Sequence, residues 1–139
     1  MLNIKIKRYY IFIVPFFFFG CNDNYIINIY DKEQLKQPIN CLNLLVEPSS
    51  LKIEQDMKKL YSFSNNCNNT LKVRYKSDIV CSSPYNTKKN TKVFPTSFIE
   101  LSIITNNKTI YSCYKDLTTE DLDDEIKKIY GKVKNKLEF

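Results

Sequence analysis

Residues 98–114 read FIELSIITNNKTIYSCY, and this stretch decides the fold. Ile99, Leu101 and Ile103 fall on one side of an extended chain, and Phe98, Glu100, Ser102 and Ile104 fall on the other. That period of two marks a half-buried strand. Thr109 to Tyr114 is a second β-prone run, joined to the first across Asn106-Asn107. Asn tolerates the positive φ of a two-residue hairpin turn, so the pair predicts an antiparallel hairpin. Tyr111 and Tyr114 point to opposite sides of the second strand, so at most one of them is core.

Beyond the hairpin lies the clearest helix. Leu122, Ile126, Ile129, Tyr130, Val133 and Leu137 recur at helical spacing from a capping-box-like start, Thr118-x-x-Asp121. Acids crowd its first turns, from Glu120 to Glu125, and lysines fill the rest, which complements the helix dipole. Upstream of the hairpin, Leu71 to Tyr75 alternates as a strand, which Asp78 to Cys81 continues or repeats. Residues 82–96 then form the longest loop. Asn65 to Asn69 is another loop. Ile53, Met57, Leu60 and Tyr61 make the apolar stripe of a short helix over Leu51 to Tyr61, preceded by the stop-and-cap signal Pro48-Ser49-Ser50. Cys41 to Val46 reads as a strand with Leu42, Leu44 and Val46 on one face, and Tyr25 to Tyr30 holds a short strand. Strand, helix, strands, hairpin and helix imply an α+β class. The expected architecture is a small, mainly antiparallel sheet with the short helix and the C-terminal amphipathic helix on one face.

The N-terminus has a different character. Lys5, Lys7 and Arg8 precede the almost purely apolar run Tyr9 to Phe19, and Gly20-Cys21 precedes the polar Asn22-Asp23-Asn24. This is the layout of a secretory signal. The run is far short of the about 20 residues a membrane-spanning helix needs, and Pro15 interrupts it. Phe18-Phe19-Gly20-Cys21 resembles the lipobox of bacterial lipoprotein signal peptides, a resemblance confined to residues 1–21. Gly20 and Cys21 match its two most demanding positions, whereas Phe18 and Phe19 replace its usual Leu and small residue. The resemblance implies cleavage between Gly20 and Cys21 and lipid attachment to the Cys21 thiol. It implies a signal peptide over 1–20, a lipidated N-terminus and short tether over 21–24, and one extracytoplasmic domain over 25–139. Asn22, in place of Asp, favours the outer membrane facing the periplasm.

Five Cys become four once Cys21 carries lipid. Cys41, Cys67, Cys81 and Cys113 in an oxidising compartment read as two disulfides. Sequence does not choose among the three connectivities of four Cys. Pairing sequence neighbours gives Cys41–Cys67 and Cys81–Cys113 as the expectation.

The chain contains no His, which removes the commonest general base and metal ligand. Its few glycines leave no phosphate-binding loop or nucleophile elbow. Ser82-Ser83 beside Lys88 lacks the S-x-x-K spacing. The acids Glu120 to Glu125 lack the alternation of a Ca²⁺ loop and are read as a helix start. The sequence thus predicts no enzyme, no metal site and no cofactor. The formal charge of +6 falls to +3 when Lys5, Lys7 and Arg8 leave, too little to argue for nucleic acid. Candidate partner-binding residues lie in the basic loop: Tyr85, Lys88, Lys89 and Lys92. The expected partners are the membrane, through an N-terminal lipid, and another envelope protein. Two roles fit this pattern: a non-catalytic binding or assembly factor of the bacterial envelope, and an immunity protein that neutralises an exported toxin.

Overall fold

The hairpin forms as its residues dictate. In the computed structural model, which describes residues 24–79, 96–118 and 121–137, β4 (Ser97–Thr105) and β5 (Lys108–Leu117) pair antiparallel. Asn106 and Asn107 join them with φ of 50° and 61°. Positive φ at both central residues is the turn whose twist matches the flanking strands. The register slips once. Ile103 faces Tyr111 while Ile104 faces Thr109, which leaves Ile110 as the extra residue of a bulge. The Ile110 carbonyl accepts the Tyr30 and Asp31 amides, so the bulge holds the end of β1 (Ile26–Ile29) against β5.

The sheet has five strands in the order β1-β5-β4-β3-β2, with β3 at Asn69–Lys76 and β2 at Asn43–Glu47. All pairs are antiparallel except β2 with β3, which run parallel. Parallel neighbours need a crossover, and α2 (Leu51–Leu60) supplies it. Ser50 caps α2 by accepting the Ile53 amide, as the Pro-Ser-Ser signal implies. A one-turn helix, α1 (Lys32–Leu35), follows β1 and is capped by Asp31. The C-terminal helix α3 (Leu122–Leu137) begins later than Thr118, because β5 runs on to Leu117 and Asp121 caps the helix through the Asp123 amide.

Leu71, Val73, Ile99, Leu101, Ile103, Tyr111 and Cys113 fill the inward registers and are fully buried. Ile53 and Met57 of α2 and Ile126, Ile129 and Val133 of α3 complete the same core. Both helices therefore cover one face, and Lys52 to Asp123 (2.8 Å) links them at the surface. Tyr111 is the core tyrosine and Tyr114 the outward one.

Cys41 and Cys67 are bridged, with Cα atoms 5.7 Å apart. They precede β2 and β3, so the bond staples the starts of the two parallel strands. The other expected bridge is corrected. Cys113 is a free, buried thiol. Its side chain points into the core opposite Leu101 and Ile27, beneath α3. Cys81 lies outside the described residues.

Candidate functional site

Two places in the fold gather polar chemistry: the sheet face opposite the helices, and the interior beside Cys113. Alternation builds both, since each strand sends every second side chain to one of them.

Among the described residues no helix covers the outer face. One row across it runs Ile26, Tyr114, Glu100, Arg74 and Glu47, and a second runs Asn28, Ser112, Ser102, Lys72 and Leu45. Arg74 pairs with Glu100 at 3.0 Å, and Lys72 with Glu47 at 2.6 Å. The Arg74 guanidinium also lies 5.7 Å from the centre of the Phe98 ring. Phe98 stacks on Tyr114, with centroids 5.3 Å apart. The Tyr114 hydroxyl donates to Asp116, and Ser102 donates to Glu100. Partial burial, this hydrogen bond and the charges of Asp116 and Glu100 push the Tyr114 phenol up to about 12. It stays a protonated donor at physiological pH. Shallow grooves of about 380 and 340 Å³ flank Arg74, one against Phe98 and Pro48, the other against Tyr30 and Ile104. The face is thus an ordered array of one Arg, two stacked rings and matched charges.

Inside, Lys115 occupies an inward register opposite Ile99. Its ammonium lies 2.7 Å from Glu125 of α3, and the two side chains are 8% and 1% exposed. Lys128 and the Tyr25 hydroxyl also reach Glu125, at 2.8 and 3.3 Å. Burial alone pushes the Glu125 carboxyl up. The hydrogen bonds and charges of Lys115 and Lys128 outweigh it and hold the group below its ordinary value. Burial pushes the Cys113 thiol up, against smaller opposing effects of Lys132 and Tyr111. A protonated, covered thiol is a poor nucleophile. Burial, with Cys113 beside it, pushes the Tyr111 phenol to about 12. The Lys115–Glu125 pair, with Tyr25, ties α3 to the sheet.

Gly20, Cys21, Tyr85, Lys88, Lys89 and Lys92 all lie outside the described residues. The sequence reading missed the outer-face array. Its signal was Phe98, Glu100, Arg74 and Tyr114 standing on the polar phase of their strands. It also took Glu125 only as part of a helix start. The signal there was Lys115, which shares the phase of Tyr111, Cys113 and Leu117 and so points at the acids of α3. Among the described residues, no group of three or more His, Cys, Asp or Glu could hold a metal ion. None of the described helices is long and apolar enough to cross a membrane. Comparison with protein-family models, with curated proteins and with solved structures found no match.

Proposed function

We propose that this chain is a lipid-anchored bacterial envelope protein that acts as a non-catalytic binding or assembly factor, presenting the sheet face opposite its helices to a protein partner. The observation that carries this reading is the Arg74–Phe98–Tyr114 array on that face. Arg and aromatic side chains supply most of the binding energy at protein interfaces, more so when their rotamers are already held. Here the Glu100 carboxylate and the stacked rings hold them. The Gly20-Cys21 junction after an apolar run supports the anchor, and the absence of His from the chain argues against catalysis.

Two experiments test the parts separately. Cys21→Ser is expected to abolish labelling by radioactive palmitate and to leave a larger precursor; unchanged labelling and size overturn the anchor. A photo-crosslinking residue at position 98, in the native envelope, is expected to trap a discrete protein that Arg74→Glu removes. The same residue at Gln55, exposed on α2, is expected to trap none. Equal products from both positions, or none from position 98, overturn the binding face.

A further inference from the structure

The strand β1 departs from the rest of the sheet. Ile26, Ile27, Ile29 and Tyr30 are 54%, 48%, 37% and 62% exposed. No described strand pairs with the outer edge of β1. Beside it, α1 and the C-terminal end of α3 enclose an open groove of about 710 Å³. Ile29, Leu35 and Leu137 form its apolar wall, and Lys32, Lys36 and Lys136 line it with their ammonium-bearing chains. Lys132 extends the cationic border, with its ammonium 4.5 Å from the Tyr25 ring. Among the described residues the acids nearby are Asp31, whose carboxylate caps α1, and Glu33, which pairs with Lys36 at 2.8 Å. The four lysines outnumber these two described acids around an apolar edge.

We infer that β1 and this groove form a surface that docks on an anionic lipid bilayer, with Ile27 and Ile29, whose registers point away from the outer sheet face, at the acyl boundary and the lysines among the headgroups. This inference rests on the lipid-anchor reading for its placement. Two features of the surface select a bilayer. Apolar side chains bordered by lysines match the depth profile of a membrane interface. Lysines near an anionic leaflet each contribute attraction that a neutral surface lacks. Reach agrees: Ile26 follows Cys21 by five positions, and an extended chain spans about 17 Å over that length. In this pose the sheet face opposite the helices stands beside the membrane instead of against it.

The chain contains no Trp, so one introduced Trp reports cleanly. Full-length processed Ile29→Trp, purified and reconstituted into vesicles of phosphatidylglycerol with phosphatidylcholine, is expected to show blue-shifted emission and quenching by brominated lipid. Ile27→Trp is the second reporter should position 29 disturb the fold, which circular dichroism checks. Leu45→Trp, on the opposite sheet edge, is expected to show neither change. In phosphatidylcholine alone, or after Lys32→Gln/Lys36→Gln/Lys136→Gln, the quenching at position 29 is expected to be lost. Quenching at position 29 equal to that at position 45, or indifferent to lipid charge and to the lysines, overturns the docking surface. Mass analysis of the same preparation reads lipid on Cys21 independently, so a missing anchor and a missing surface are told apart.

Discussion

Replacing Lys115 with methionine removes a cation from beside a buried carboxylate, and replacing Glu125 with leucine removes the anion it faces. At 2.7 Å and an effective dielectric of about 20, the gross attraction is about 6 kcal/mol. Withdrawing each ion from water costs several kcal/mol, so the intact pair and a well-packed apolar pair differ little. Removing one partner keeps the cost and loses the attraction. Each single substitution is expected to destabilise by about 3–5 kcal/mol. Lys115→Met falls at the low end, because Lys128 and Tyr25 still reach Glu125. The double variant Lys115→Met/Glu125→Leu is expected to lie within about 2 kcal/mol of the parent. Urea denaturation with the Cys41–Cys67 bond intact measures all four proteins, and the shift of midpoint at constant slope gives each loss. A double variant whose loss equals the sum of the singles refutes the reasoning. Acid gives an independent check. Glu125 is held below its ordinary value when folded, so it binds fewer protons in the folded state. Its contribution is complete above the unfolded pKa of about 4.3 and is lost as pH falls through the folded value. The parent is therefore expected to lose more stability than the double variant as pH falls below about 4.3.

Three further outcomes are expected. Asn107→Gly should leave stability unchanged or raise it, whereas Asn107→Val, forced to a φ of 61°, should cost about 1–2 kcal/mol in the same denaturation assay. Cys41→Ser/Cys67→Ser should cost about 3 kcal/mol, since the bond closes a crossover and limits the unfolded chain. Cys113 should be alkylated about tenfold or more slowly in the native protein than in urea, as peptide mapping by mass spectrometry would read; equal rates would place the thiol at the surface.

The hairpin, α2 and α3 were legible because local pattern alone specifies them. Ile99, Leu101 and Ile103 alternate, Asn106-Asn107 turns, and Leu122 to Leu137 keeps a helical stripe. Strand order was not legible. Nothing near Leu44 and Val46 announces that β2 lies parallel to β3, because pairing depends on the path of α2 and not on the strand's own residues. The Cys41–Cys67 bond was expected from sequence proximity, and the parallel pairing gives its physical reason: both residues stand just before strands that start at the same end of the sheet. The same proximity failed for Cys113, whose inward register puts its thiol under α3. The outer-face array escaped notice because aromatic and charged residues on a strand's polar phase look like ordinary solvent-facing residues. Their convergence needs the register of β3, β4 and β5 together.

The placement of β1 bears on how the protein assembles in time. A chain is made from its N-terminus, and Asn28 finds its place opposite Ser112 only across 84 positions. The bulge carbonyl that receives Tyr30 and Asp31 belongs to β5 and exists only once the hairpin has closed. The first described strand to emerge is thus seated only after β5 has formed. Until then the backbone edge of β1, and the edge of β5 that receives it, stay unpaired, which is the kind of strand edge open to aggregation.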